Sequence, residues 1–363
     1  MQDYHFAGEE ELDSPALVYH EDIIEVNIQK TLDIAGGPDR LWPHVKTFKN
    51  AALVRLLQAR GIRRFKCATL AEAEMCARCG AEHVLLSYPL VGPAIGRFVK
   101  LRQRYRNTHF WAIGDDLAQL RLLGEAGETA GLPFLADVNP CMNRTGVALD
   151  RLKEFCLHAD KIPGLKLMGF HCYDGNLGIK DPAEREKAVA EETGKLRAVR
   201  EALEAEGQKL PVLVMGGTPT FPFHAENPAA FLSPGTLFVQ DYGYQTKYPD
   251  LAFCPAAAIL TRVISRPRED LFTLDLGYKA IASDQEGKRG IIPELPQAHS
   301  ETHSEEHWVF RMTGPCPPVG TILHVIPTHI CPSTALYPGI YVVREGRMVN
   351  YWDVDARNRK ISI

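Results

Sequence analysis

Short apolar runs alternate with amphipathic stretches over the first two thirds of the chain. The runs are rich in β-branched and aromatic residues, as strands are, while the stretches between them have helical apolar spacing. The eight runs are LWPHVKTF (41–48), RRFKCAT (63–69), HVLLSYP (83–89), THFWAIG (108–114), PFLADVN (133–139), GLKLMGFHC (164–172), PVLVMGG (211–217) and TLFVQDYG (236–243). Alternating strands and helices in this number predict a (β/α)8 barrel of the TIM type. An open doubly wound sheet is the alternative, but the glycine signature of its dinucleotide-binding version is absent.

After about residue 250 the helical spacing fades, and strand-like runs are joined by turns rich in glycine and proline. These runs are LFTLDLG (271–277), HWVFRM (307–312), TILHVIP (321–327) and GIYVVREGRMVNYWDV (339–354). The pattern predicts a barrel domain over 22–247 and a mostly β C-terminal domain over 248–363. We expect the segment 1–21 to supply a strand that joins them.

Composition narrows the function classes without selecting one. The 363 residues are 45% apolar and 24% charged, which is typical of a globular protein, and no apolar run is long enough to span a membrane. With 41 basic and 45 acidic residues the net charge is −4, so neither nucleic acid nor an anionic membrane is indicated as a partner. Nine scattered cysteines and an acidic start without a signal sequence predict a reduced, cytoplasmic protein that acts on a small molecule.

Polar residues at the ends of the predicted barrel strands are the candidates for chemistry, because barrel active sites lie at the carboxyl ends of the strands. Lys46 follows the first run, and a desolvated lysine in a barrel mouth can act as a nucleophile and form a Schiff base. A surface lysine after a strand is the alternative. His171 and Tyr173 leave the sixth run on the same side, and Arg144 follows the fifth, where it could pair with an anion.

Two glycine-rich loops stand where phosphate sites recur in such barrels, after the seventh strand and before the eighth. The loops contain Gly216, Gly217 and Thr218 in one case and Gly235 and Thr236 in the other. Backbone amides of glycine can approach an anion closely, and threonine hydroxyls add donors. Tight turns without a ligand are the alternative.

One pair in the C-terminal domain has the spacing of metal ligands. His329 and Cys331 are two residues apart, so in an extended segment they would point the same way, and imidazole with thiolate suits zinc. Two rival sets are weaker. Cys76 and Cys79 form a C-x-x-C inside a helical stretch, and the histidines of AHSETHSEEH lie in a context that predicts a loop; these are His299, His303 and His307.

The order of the motifs identifies a resemblance to the D-threonine aldolase and D-serine dehydratase group, of the alanine-racemase-like class of pyridoxal phosphate (PLP) enzymes. The motifs are P-H-V-K-T, F-K-C-A-T-L-A-E-A-E, N-R-T-G, H-C-Y-D-G, G-G-T-P-T, S-P-G-T, S-E-E-H and H-I-C-P, and the resemblance as a whole runs from about residue 14 to the end. The resemblance implies a barrel with a C-terminal β domain, a homodimer, PLP, and a divalent metal such as Zn²⁺ or Mn²⁺. It implies a D-amino acid as the substrate.

The same resemblance assigns roles to individual residues. Lys46 matches the lysine that holds PLP, and the two glycine-rich loops match the phosphate cradle. His171 and Tyr173 match residues around the cofactor ring and the reacting carbon, so His171 is a catalytic candidate, and either His171 or a metal-bound hydroxide would act as the base in an aldolase. Arg144 matches the arginine near the cofactor. In the C-terminal domain, His329 and Cys331 match the metal pair.

Departures from the family pattern leave the reaction open. Phe48 and Asn176 stand where many relatives have histidines, and H-x-C is the dehydratase-like form of the metal pair. We expect aldolase-like cleavage of a D-3-hydroxy amino acid to glycine and an aldehyde. A D-serine dehydratase that releases ammonia and a 2-oxo acid is the alternative, followed by a racemase or a PLP-binding protein without activity.

Overall fold

The computed structural model describes residues 3–127 and 131–363, so Met1 and Gln2 of the predicted joining segment lie outside the described residues. The chain divides into two compact units. The β unit consists of Met1–Lys30, Thr47–Asn50 and Thr236–Arg357, and the barrel unit of Thr31–Lys46, Ala51–Gly235 and Asn358–Ile363. The prediction placed the boundary at 247, whereas this division places it at 235 and assigns residues 21–30 of a helix at 21–35 to the β unit.

The strands of both units, numbered along the chain, are β1 (Ala16–His20), β2 (Arg64–Cys67), β3 (His83–Leu86), β4 (His109–Gly114), β5 (Leu132–Asn139), β6 (Val147–Ala148), β7 (Leu165–Cys172), β8 (Val212–Met215), β9 (Ala230–Leu232), β10 (Ala257–Arg268), β11 (Leu271–Leu274), β12 (Gly290–Ile291), β13 (His299–His303), β14 (Trp308–Arg311), β15 (Ile322–Pro327), β16 (Gly339–Arg344) and β17 (Arg347–Asp353). The helices are α1 (Glu21–Ala35), α2 (Ala51–Ala59), α3 (Leu70–Arg78), α4 (Pro93–Arg104), α5 (Leu117–Ala126), α6 (Leu149–Ala159), α7 (Pro182–Glu204), α8 (Phe221–Ala225), α9 (Tyr242–Lys247) and α10 (Ile330–Leu336). None of the helices in the described ranges is both long and apolar enough to cross a membrane.

Seven parallel strands of the barrel unit lie in the order β2, β3, β4, β5, β7, β8, β9, and β6 pairs with β5. Residues 41–44 close the circle, since Leu41 bridges to Leu232 of β9 and His44 bridges to Lys66 of β2. Pro43 has no amide hydrogen to donate, which explains why this segment pairs at isolated points rather than as a regular strand. The predicted fold class, a TIM-like barrel followed by a mostly β domain, is confirmed.

Two of the eight predicted strands differ from the structure. Within the first run, residues 45–47 form a 3₁₀ turn that carries Lys46. The eighth run, 236–243, is not a barrel strand: it contains a 3₁₀ turn at Thr236–Phe238 and the start of α9. The strand beside β8 is instead β9, whose three residues are too few to produce a recognisable period-two pattern.

Large apolar side chains fill the interior of the barrel unit. Trp42 lies against Trp111 with ring centroids 5.6 Å apart, edge to face, and its indole nitrogen donates to the carbonyl oxygen of Phe65 at 2.8 Å. The buried members of this cluster are Trp42, Leu85, Trp111, Ile113, Leu135, Val212 and Val214. With this packed interior, the polar strand ends are left to form a site at the barrel mouth.

The sheet of the β unit has the order β13, β14, β11, β10, β1, β16, β17, and β15 pairs with β10 and β12. The N-terminal strand β1 lies inside this sheet, antiparallel to β10 and parallel to β16. The loop prediction for AHSETHSEEH is wrong at its first half, because 299–303 form β13 and pair with β14. His299 and His303 are therefore strand residues, and His303 directs Nε2 to the carbonyl oxygen of Leu276 at 3.1 Å.

Candidate active site

Three cationic side chains surround one aromatic ring in the barrel unit. Tyr173 is the residue directly after β7. The centroid of its ring lies 5.5 Å from Lys46 Nζ, 5.7 Å from Lys66 Nζ and 5.0 Å from Arg144 Cζ. We call this group the Tyr173 cation cluster. Like charges this close repel each other, so the cluster favours an anionic ligand that would compensate them.

Lys66, on β2, is the member of the Tyr173 cation cluster that the sequence pattern did not predict. Its side chain is only 2% exposed. Burial, with further repulsion from Lys46 and Arg144, lowers the pKa of Lys66 from 10.5 to about 7, although Asp174 and Asp137 oppose the shift. Its place in the motif F-K-C-A-T, within the predicted strand 63–69, was the available signal. Periodicity could not show that a lysine there turns inward.

His171 and Asp137 form a buried pair at the carboxyl ends of β7 and β5. His171 Nδ1 lies 2.7 Å from Asp137 Oδ1, and both residues are at most 5% exposed. Because an ionised carboxylate accepts the Nδ1 proton, Nε2 of a neutral ring carries the lone pair. Burial lowers the pKa of His171 despite the hydrogen bond to Asp137. Among the described residues Nε2 has no hydrogen-bond partner, so the imidazole presents an unengaged base.

The predicted glycine loops lie against Tyr173 and against each other. A Cβ added to Gly217 would meet Tyr173 Cε2 at 3.0 Å, and Gly216 adopts a positive φ of 77° that favours glycine. The Gly235 amide lies 3.5 Å from the Thr218 hydroxyl, which joins the two loops within the barrel unit. Thr236 belongs instead to the β unit, where its hydroxyl lies 3.6 Å from Cys331 Sγ.

A buried network holds the first glycine loop from behind. Thr220 donates to Asp174 Oδ1 at 2.8 Å and accepts the Gly217 amide proton at 3.1 Å. His224 Nε2 lies 2.6 Å from Asp174 Oδ2. All three side chains are at most 3% exposed, so the carboxylate of Asp174 orders both the helix α8 that follows the loop and the loop itself.

These features fit PLP. The cofactor is an anion with an aromatic ring and an aldehyde, and the barrel mouth offers a lysine nucleophile, further cations, a small-residue loop and a tyrosine ring. Two buried polar atoms have no hydrogen-bond partner among the described residues, namely Nε2 of His171 and Oδ2 of Asp137, and a bound ligand would supply one. Each predicted cofactor residue of the barrel unit thus lies near Tyr173 or on the adjoining loops.

The predicted metal pair lies at the start of α10 in the β unit. His329 precedes the helix and Cys331 is in its first turn, so the extended geometry expected for the pair is wrong. His329 Nδ1 lies 2.6 Å from Asp284 Oδ2, and the Cys331 thiol lies 3.2 Å from Thr47 Oγ1. Hydrogen bonding and charge from Cys331 and Asp284 outweigh burial and raise the pKa of His329 to about 9, while His329 lowers the pKa of Cys331.

This donor set fits a divalent metal. Asp284 accepts from His329 Nδ1, as carboxylates do for metal-binding histidines, and leaves Nε2 available as a ligand. A thiol whose pKa is lowered supplies the thiolate that zinc prefers. Asp284 and Thr47 were not identified from the sequence, because both are distant from His329 and Cys331 along the chain.

The remaining motif residues have structural partners. Cys76 lies within α3, 3.8 Å from Cys67 Sγ, and Cys79 contacts the carbonyl oxygen of Ala51, so the C-x-x-C does not form a joint site in the described part of the chain. The nine cysteines all lie in the described residues and none of them forms a disulfide there. Phe48 is fully buried in the β unit, and Asn176 donates to the carbonyl oxygen of Pro140 at 2.7 Å.

Two family models match the chain: "Alanine racemase, N-terminal domain" over residues 20–242 and "Putative serine dehydratase domain" over residues 256–343. A D-threonine aldolase of Arthrobacter sp is 27% identical over 356 residues, which span 95% of this chain and 93% of that relative. A D-threo-3-hydroxyaspartate dehydratase of Delftia sp. (strain HT23) is 25% identical over 379 residues, spanning 94% and 97% of the two chains. The crystal structure of a D-threonine aldolase from Filomicrobium marinum superimposes with a TM-score of 0.90 at 26% identity and covers 97% of this chain and 98% of its own.

Proposed function

Since the chain belongs to the family defined by the alanine racemase N-terminal domain, we propose that it cleaves D-3-hydroxy amino acids to glycine and an aldehyde, with PLP and a divalent metal. The expected enzyme class, a PLP-dependent lyase, is confirmed by the aldolase and dehydratase relatives. The proposal of aldolase cleavage is supported by the unengaged Nε2 of His171 beside the Tyr173 cation cluster. The chain is also similar to a D-threonine aldolase over nearly its whole length.

The residues of the barrel unit would hold the cofactor and the amino acid. Lys46 would form the covalent attachment, and the amide of Gly216 with the hydroxyl of Thr218 would face the phosphate. Arg144 and Lys66 supply positive charge for anionic groups, including a substrate carboxylate. When bound, PLP would accept the electron pair released as a bond to the α-carbon breaks.

His171 is the residue placed to move a proton. Its Nε2 would accept the proton of the substrate hydroxyl while Asp137 holds the ring and stabilises the imidazolium. In the retro-aldol reaction the Cα–Cβ bond breaks, the hydroxyl proton leaves and one proton returns to Cα. D-threonine thus yields glycine and acetaldehyde with no other reactant. A divalent metal held by His329 and Cys331 of the β unit would supply a Lewis acid.

Dehydration is the second candidate, because a hydroxyaspartate dehydratase is similar over 94% of the chain. Purified protein is incubated with PLP and either Mn²⁺ or Zn²⁺, in separate reactions with D-threonine, D-serine and D-3-hydroxyaspartate. Glycine with an aldehyde supports the aldolase. Ammonia with a 2-oxo acid refutes it in favour of the dehydratase. L-threonine serves as the stereochemical control, and EDTA treatment with metal restoration tests the metal requirement.

Lys46→Ala separates cofactor attachment from folding. We expect this variant to lose the visible absorbance of lysine-bound PLP and at least about 10³-fold in kcat, since it lacks the nucleophile. The matched control is Lys161→Ala, which alters an exposed lysine of the same unit and should retain both. Unchanged absorbance and activity in Lys46→Ala would contradict the assignment.

A further inference from the structure

A second set of metal-ligating side chains lies in the β unit, apart from His329 and Cys331. It consists of His5 and Glu9 from the N-terminal segment and His324 from β15, and we call it the N-terminal histidine cluster. One ligand atom from each residue can be chosen so that all lie within 4.8 Å of one another. We propose that the N-terminal histidine cluster binds a Zn²⁺ ion that fastens the N-terminal segment to β15.

The chemistry of the cluster matches zinc. Two imidazoles and one carboxylate form a three-ligand set that Zn²⁺ uses in proteins, with a fourth position left for water. Around a tetrahedral ion with bonds of about 2.0 Å, ligand atoms lie about 3.3 Å apart. His324 Nε2 and Glu9 Oε2 are 3.3 Å apart, and His5 Nδ1 lies 2.6 Å from Glu9 Oε1. The rings of His5 and His324 meet edge to face, with centroids 4.8 Å apart.

The burial and orientation of His324 support a ligand at its Nε2. His324 is completely buried, yet among the described residues Nε2 makes no hydrogen bond, even with Glu9 close by. The opposite nitrogen, Nδ1, lies 3.0 Å from Glu294 Oε1, which also accepts the His324 backbone N–H at 3.1 Å. A carboxylate on the far nitrogen orients metal-binding histidines and directs the other nitrogen to the ion.

The N-terminal segment is already anchored near the cluster, so binding would need little ordering. The Ala7 amide donates to the carbonyl oxygen of Gly346 at 2.9 Å. Phe6 and Leu12 pack in an apolar cluster with Leu260, which pairs with His324 in the sheet. Because a segment that is already ordered loses less conformational entropy when it binds an ion, these contacts favour zinc binding at the cluster.

The test counts zinc by equilibrium dialysis of the full chain at micromolar free Zn²⁺. We expect two equivalents in the wild type, one in His329→Ala/Cys331→Ala and one in His5→Gln/Glu9→Gln. The matched control, His299→Gln, changes an exposed histidine of the same unit and should retain two. If the His329 site binds no metal, the wild type binds one equivalent that His5→Gln/Glu9→Gln removes. The two proposals therefore fail separately.

Two further measurements test whether the ion binds at the N-terminal histidine cluster. Co²⁺ in His329→Ala/Cys331→Ala should give visible bands of a tetrahedral ion without thiolate charge transfer, because the cluster contains no sulfur. Adding EDTA to the wild type should speed hydrogen exchange at the Ala7 amide, whereas His5→Gln/Glu9→Gln should show no response. An unchanged zinc count in His5→Gln/Glu9→Gln relative to the wild type overturns the proposal.

Discussion

Lys66 makes the pH dependence of stability a direct test of the Tyr173 cation cluster. The unfolded chain binds a proton at this lysine below pH 10.5, whereas burial lowers the pKa in the folded protein to about 7. Between these values the unfolded state therefore binds more protons, and the free energy of unfolding must rise with pH. From pH 7 to pH 9 the contribution of Lys66 amounts to about 2 kcal/mol, at about 1.4 kcal/mol per pH unit over most of the interval.

The assay is urea unfolding of the protein without added PLP at pH 7, 8 and 9, followed by tryptophan fluorescence. Lys66→Met keeps the length of the side chain and removes the titrating amine, so its free energy of unfolding should gain about 2 kcal/mol less than the wild type over this interval. Groups that titrate in both proteins cancel in the comparison. Lys161→Met, at an exposed lysine, should follow the wild type. Equal pH slopes for Lys66→Met and the wild type would refute the burial of a neutral amine at this position.

Two other substitutions probe the barrel mouth. Gly217→Ala should weaken PLP binding about tenfold or more, because the new methyl group meets Tyr173 at 3.0 Å. In the control, Gly194→Ala, the new Cβ meets nothing within 4 Å, so the affinity for PLP should be unchanged. Spectroscopic titration with PLP measures the affinity of both variants. Equal affinity of the two variants would contradict the close approach. Asp137→Asn should lower kcat by about 10²- to 10⁴-fold with little change in KM, because an amide can donate to His171 Nδ1 and favour the tautomer protonated at Nε2. The ¹⁵N shifts of the imidazole report the tautomer, and an unchanged kcat would exclude His171 as the base.

The barrel was predictable because its evidence is local. In the sequence of a parallel barrel, each strand is a run of apolar residues and each crossover helix has apolar residues at helical spacing. Polar residues accumulate where the strands end. Lys46, His171 and Tyr173 could be selected on that basis. The closing strand β9 could not, because three residues carry too little periodic signal, and the long β10 was missed among the proline-rich turns.

Local pattern and motif order thus determined the fold class, the family resemblance and the candidate lysine, imidazole and thiol ligands. Only the tertiary structure decided their environments. Lys66 is buried beside two other cations, and Asp137 binds Nδ1 of His171 and so leaves the lone pair on Nε2. In the β unit, Asp284 orients His329. The tertiary structure also brought His5 and Glu9 to His324 from opposite ends of the chain. The reason is physical, since secondary structure reflects neighbours a few residues apart, whereas a pKa or a ligand set depends on charges and burial contributed by distant segments.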